Sequence, residues 1–255
     1  MKNKIYVITH KDFKYDILDI YKPIFVGPNK PTSNMKYISD SSSDNISNKN
    51  ENYCELTAIY WIWKNIHDCE NVGIVHYRRY FIYGIRSKLI DDKYIEKNLI
   101  KNHYDIILPS RKKAKPNVYE YFINSPSGKE KDLVNLRTVI GKKYPEYLSA
   151  YDSVMYSKKT SYCNMMISSK ELYDKYCTWL FDILFDLEKI TNLDGYTSQQ
   201  KRIYGFLSEF LLNVYVEHNN LNVKYCDILY IEKSNIKTFL KKIKHGFNFL
   251  IRGLS

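Results

Sequence analysis

The sequence predicts an α/β layered domain with a mainly parallel sheet flanked by helices, and three observations lead there. Short apolar runs rich in β-branched residues recur at residues 5–9, 24–27, 71–77, 104–109, 165–168 and 223–231. Amphipathic stretches with apolar residues at three- and four-residue spacing alternate with them, the pattern of strands joined by crossover helices. The 255 residues suffice for one medium domain that needs no covalent staples, plus a short appendage.

Taken in order, residues 5–9 read as a buried strand and 24–27 as a second that ends at a Gly-Pro turn. Residues 39–50 are rich in Ser, Asn and Asp and read as a loop. From 52 to 65 the pattern is helical, with Leu56, Ile59, Tyr60 and Trp63 on one face. The strand at 71–77 runs straight into Arg78 and Arg79. A short helix over 91–102 precedes the strand at 104–109, and the basic, turn-rich residues 110–131 read as a long loop. Residues 132–157 are helical in pieces, interrupted around Gly141 and Pro145. A long helix over 170–190 turns Leu172, Tyr176, Leu180, Ile183, Leu184 and Leu187 inward. Another follows over 198–216, and 223–231 is the closing strand.

Residues 231–255 differ from the rest. Ile236, Phe239, Leu240, Ile243, Phe247, Leu250 and Ile251 repeat at helical spacing, and six positive charges face one Glu232. A basic amphipathic helix of this kind fits an anionic membrane surface; the plainer reading is a helix docked on the domain with its Lys face solvated. The tail divides the chain into a domain over 1–230 and an appendage over 231–255.

The formal charge is +11, which invites a nucleic-acid reading. The 32 Lys, 29 Ile, 22 Asn and 25 Tyr against 3 Ala look instead like the codon bias of an AT-rich genome, so Lys is weak evidence. The 7 Arg tell more. No apolar run is long enough to span a membrane, and the opening residues lack a signal-peptide pattern. The five Cys are scattered without a CxxC, which predicts free thiols in a cytoplasmic protein. There is no P-loop, GxGxxG or Asp-x-Asp, and the six His have no metal-ligand spacing.

Three segments carry the candidate chemistry. The strand at 71–77 ends in His76, Tyr77, Arg78 and Arg79, and ligands of open α/β sheets bind beyond such strand ends. Adjacent guanidinium groups there fit a phosphate or diphosphate; the competing reading pairs them with surface carboxylates. Asn45 lies in a polar loop before a helix, which can cap that helix or close over a nucleotide. Ser198, Arg202, Gly205, Glu209 and Asn213 form one helical stripe, either a solvated face or a site wall where Gly205 admits a close neighbour.

Residues 9–11 (Thr-His-Lys), 44–47, 55–65, 73–81, 162–167, 176–182 and 200–209 resemble, in that order, the family called domain of unknown function 4422. The resemblance covers about residues 3–230. It implies capsular, exopolysaccharide or O-antigen biosynthesis, and overlap with glycosyltransferase family 111, which includes galactofuranosyltransferases. The implied fold is GT-A-like, a Rossmann-like sheet that works without the usual metal motif. Domain 1–230 would then be a glycosyltransferase acting on a nucleotide-sugar, UDP-linked by this reading, and a lipid-linked glycan acceptor. It would sit at the inner face of the cell membrane and need neither a cofactor nor a divalent metal.

His76, Arg78 and Arg79 stand at a strand end where the metal motif could have been, and the expectation is that the two arginines replace the cation at the diphosphate. By implication of the same resemblance, His10 and Lys11 meet the nucleotide, with Asn45 in the closing loop. Glu209 is the base for an inverting transfer, with Asp194 as runner-up, and Asn164, Gln200 and Arg202 contact sugar. Glu55 reads as structural or nucleotide-linked. The sequence departs from the family's Glu-Arg pattern at Glu209-Phe210. Two rivals stand beside this reading: a metal-dependent GT-A enzyme, and a non-catalytic basic protein that binds nucleic acid or acidic polysaccharide.

Overall fold

A computed structural model describes residues 2–13, 18–28, 31 and 37–231. The predicted tail helix lies outside the described residues. Nine strands form one sheet: β1 (Asn3–Thr9), β2 (Tyr21–Phe25), β3 (Ile38–Ser39), β4 (Asn71–His76), β5 (Arg79–Tyr83), β6 (Lys88–Leu89), β7 (Ile106–Pro109), β10 (Met166–Ser169) and β11 (Val223–Tyr230). Their order is β3-β2-β1-β4-β10-β7-β11-β5-β6, while β8 (Lys112–Lys113) and β9 (Lys159–Thr160) make a separate ribbon.

The sheet is mixed, which corrects the expectation of a mainly parallel one. Strands β3, β2, β1 and β4 run parallel, as do β7 and β11. Strand β10 is antiparallel to both β4 and β7, and β5 is antiparallel to β11, β4 and β6. Because β5 also meets β4 across the pair His76–Arg79, strands β4, β10, β7, β11 and β5 close into a small barrel. A short apolar run buried on both faces reads the same in either direction, so the sequence pattern carries no strand polarity.

The two faces of the sheet follow from the period of two. Tyr6, Ile8, Ile74, Ile106, Leu108 and Met166 belong to one core. Their neighbours Ile5, Val7, Val75, Ile107 and Ile167 belong to the other. The first core is covered by α2 (Leu56–Asn65), α4 (Val118–Ile123), α5 (Glu130–Lys143), α6 (Leu148–Tyr156), α7 (Lys170–Ile190) and α8 (Ile203–His218). The second is closed by β5, β6 and α3 (Asp92–Ile95), through Tyr80, Phe81, Ile90 and Ile95.

Helix α7 matches its predicted span. Ser169 caps it by accepting from Leu172 N–H, and its inward residues from Tyr173 to Leu187 are buried. Each such apolar side chain contributes on the order of 1.5–3 kcal/mol by leaving water. Three expectations need correction. The helix over 52–65 is two pieces, α1 (Asn50–Tyr53) and α2, broken at Cys54 with φ 52°. Helix α5 runs through Gly141, which sits in its last turn where a break is not needed. Residues 110–131 are not one loop, since Asn117 accepts from Glu120 N–H and starts α4 there.

Gly73 lies in β4 between Ile5 of β1 and Ile167 of β10. A Cβ at that position would come within 3.0 Å of both isoleucine side chains. Gly73→Val should therefore lower stability by about 1–3 kcal/mol through overpacking, read as a lower melting temperature.

Candidate active site

A cleft of about 980 Å³ opens where β1 and β4 end. Its floor is Ile8, Thr9 and His10 of the first strand end and His76, Tyr77 and Arg78 of the second. Arg79 and Tyr230, paired across β5 and β11, form one side. The break between α1 and α2 supplies Glu51, Cys54 and Glu55, and α8 supplies Gly205, Phe206 and Glu209, with Arg202 just before it.

Local backbone explains how these groups meet. The tight turn at Tyr77-Arg78 folds β5 back on β4, so the chain presents Arg78 and Arg79 to the cleft. Asn50 donates from Nδ2 to Cys54 O at 2.8 Å and so clamps the left-handed break before Glu55. Cys163 and Asn164 both have positive φ, at 88° and 45°. Asn164 Nδ2 donates to Glu55 Oε1 and to Gly205 O, each at 2.9 Å. Cys163 O accepts from His76 Nε2 at 2.7 Å, and its N–H donates to the Glu209 carboxyl.

The electrostatics divide the cleft. Arg78, Arg79 and Arg202 form no ion pair with a described carboxylate, whereas Arg137 elsewhere is held bidentate by Asp152 at 2.8 and 2.9 Å. Arg202 donates from Nε to Cys54 Sγ at 3.1 Å. Burial holds His10 below its usual range, helped by the charges of Lys11, Arg78 and Arg202. Burial also lowers His76, with Arg79 adding and Glu55 opposing, so His76 is a neutral ring that donates from Nε2.

In the same cleft, burial pushes the Glu209 carboxyl up to about 8, and the neighbouring Glu55 charge adds to this. The Cys163 N–H, Arg79 and Arg202 pull it the other way. Two carboxylates sharing a desolvated site favour holding one proton between them. Burial pushes the thiols of Cys54 and Cys163 up to about 11, so neither is a nucleophile at neutral pH. Among the described residues no three His, Cys, Asp or Glu side chains cluster as metal ligands; Glu55 and Glu209 are two oxygen donors.

The structure brings together His10, His76, Arg78, Arg79, Arg202 and Glu209. Asn164 lies outside the cleft lining: it is buried, and its Nδ2 donates to Glu55 and to the α8 backbone. His76 is occupied at Nε2 by Cys163 O. Four other expected residues lie outside the lining. Lys11 is exposed beyond His10, and Asn45 knots its own loop through Ser43 and Ser47. Asp194 is exposed on a turn, where its N–H bonds Asn192, and Gln200 exchanges hydrogen bonds with Thr197. Residues missed as partners of Glu209 were Glu55 and Cys163, which come from other segments of the chain. The signal available for Glu55 was its place before an apolar helix.

The fold and cleft define a mixed α/β protein whose cleft brings three arginines together with a carboxyl pair. The chain belongs to the family described as Domain of unknown function (DUF4422), whose model matches residues 4–220. It is similar to the solved apo structure of WbbM, a bifunctional glycosyltransferase, at 28% identity and a TM-score of 0.81. The match covers 91% of this chain and 46% of that one, so the chain spans less than half the length of that protein. No curated protein matches. Among the described residues no helix is long and apolar enough to cross a membrane.

Glu209 carries a measurable consequence. Its folded-state pKa lies above its unfolded value, so the stability its protonated form allows is present at low pH. That stability is lost as pH rises from about 4.5 to about 8. Glu209→Gln removes the titration. The variant's gain in melting temperature over wild type should grow by roughly 6 °C between pH 5.5 and pH 8.5. An equal gain at both pH values would contradict the shifted carboxyl.

Proposed function

We propose that this protein is a glycosyltransferase of GT-A-like architecture that uses a nucleotide-sugar donor, UDP-linked, and a lipid-linked surface-polysaccharide acceptor. Galactofuranose is the first donor sugar to test. The observation that carries the reading is a cleft in which Arg78, Arg79 and Arg202, none of them in an ion pair with a described carboxylate, stand together with Glu55 and Glu209. Similarity to part of a bifunctional glycosyltransferase supports it.

In this mechanism Arg78, Arg79 and Arg202 hold the diphosphate and stabilise the negative charge that grows as it leaves. The acceptor hydroxyl oxygen forms a bond to the anomeric carbon. The bond from that carbon to the diphosphate oxygen breaks, and its electron pair leaves with the nucleoside diphosphate. The hydroxyl proton ends on Glu209, which must first be a carboxylate. His76 and Asn164 act by fixing Glu209 and Glu55 in place.

The arginines stand in for a divalent cation in this account. The basic amphipathic sequence of residues 236–255 supports a further assignment, to the cytoplasmic face of the membrane near a lipid-linked acceptor.

A thermal-shift screen of nucleotide-sugars, with and without chelator, tests the donor and the cation together. UDP-sugars should raise the melting temperature equally in both conditions. Arg79→Ala should weaken UDP binding at least tenfold, and binding that needs added metal would contradict the arginine assignment. With a working donor, kcat/KM should rise with pH and level off above about 8, because the free enzyme's Glu209 must lose its proton. Glu209→Gln should lose at least 100-fold in rate while keeping UDP affinity; a wild-type rate would remove Glu209 from the mechanism.

A further inference from the structure

A second cavity of about 260 Å³ adjoins the cleft and shares Phe206 and Glu209 with it. Its other aromatic walls are Tyr121, Phe122, Tyr162 and Phe210. Ser125 and Ser127 bring the polar atoms opposite them. The aromatic wall is preassembled: Phe122 meets Phe210 edge-on at 5.3 Å, and Tyr121 lies 6.4 Å from Tyr162. Phe210 builds part of the cavity's wall.

The composition fits one ligand chemistry. Aromatic faces take the apolar C–H face of a saccharide ring, while a few fixed hydroxyls orient its edge. No Lys or Arg lines the cavity, so it does not suit a phosphate. The volume holds about one sugar ring. Tyr121 is 51% exposed, a large aromatic surface left open at the entrance. The Tyr162 hydroxyl is buried with no hydrogen-bond partner among the described residues. With its oxygen enclosed, Tyr162 offers the cavity its ring and not its hydroxyl. Ser127 is held in place by Gln199, whose Nε2 donates to its Oγ at 2.8 Å.

We propose that this cavity is the acceptor site and seats the terminal sugar ring of the acceptor glycan, with its reactive hydroxyl turned to Glu209. The proposal rests on the glycosyltransferase reading above. It assigns the two sides of Glu209 different jobs: the arginine-lined cleft takes the donor, and the aromatic cavity takes the acceptor. Specificity for the acceptor then resides in the α4 segment and the turn after it, away from the strand ends.

Saturation-transfer NMR with a panel of methyl glycosides (galactoside, mannoside, N-acetylglucosaminide, rhamnoside) tests this on the full chain, alone and with UDP. Calorimetry on the same samples reads UDP binding. Wild type should bind at least one glycoside. Ser125→Phe, which fills the cavity, should abolish that binding, and Tyr121→Ala at the exposed entrance should weaken it at least tenfold. UDP affinity should stay unchanged in both variants. Glycoside binding that survives both substitutions, or wild type that binds no glycoside, would overturn the proposal. Failure of UDP to bind a protein whose glycoside binding follows the two variants would instead remove the donor reading and leave the saccharide site standing.

Discussion

Cys163 and Asn164, consecutive non-glycine residues in left-handed backbone, join four contacts that reach three different elements. His76 at the end of β4, Glu209 on α8, Glu55 before α2 and the Gly205 carbonyl all bond to this one pair. Left-handed backbone costs roughly 1–2 kcal/mol per ordinary residue, and somewhat less for Asn. The surrounding hydrogen bonds hold it there, as strained backbone at functional sites requires. Without this turn the two carboxyl groups would have no common support.

The same turn leads into β10, the strand that reverses direction between β4 and β7. The strand reversal at β10 and the assembly of the site thus meet at one turn, while the β4–β5 pair closes the barrel. Strand β4 is central to both: its glycine lets flanking isoleucines close over it, and its end delivers His76 and the arginine turn. Arg78 and Arg79 come from the turn between β4 and β5, whereas Arg202 and Glu209 share one helix and its start.

Much of the fold was legible in the residues because it depends on local periodicity. Helix α7 and strands β1, β4 and β11 follow from side-chain spacing that any packed layer must show. Strand direction was not legible, since burial on both faces erases it. The break at Cys54 was hidden because its cause, the Asn50 side chain on the Cys54 carbonyl, leaves the apolar helical pattern intact on either side. In the site, Arg78 and Arg79 were visible as scarce residues at a strand end, and Glu209 as a charge beside Gly205. The pairing of Glu209 with Glu55 was not, because the two are joined only through Asn164 and Cys163. Asp194 and Gln200 looked suitable by residue type, but their partners are in their own turns.

The central physical claim is that burial and a neighbouring carboxylate keep Glu209 protonated near neutral pH, beside arginines in no ion pair with a described carboxylate. A direct titration measures it: carbon-13 NMR of protein labelled at the glutamate side-chain carboxyl carbon, with Glu209→Gln to assign the resonance. A midpoint near 8 for Glu209 is the expected result. A midpoint near the ordinary glutamate value, about 4.3, would contradict the account at its base.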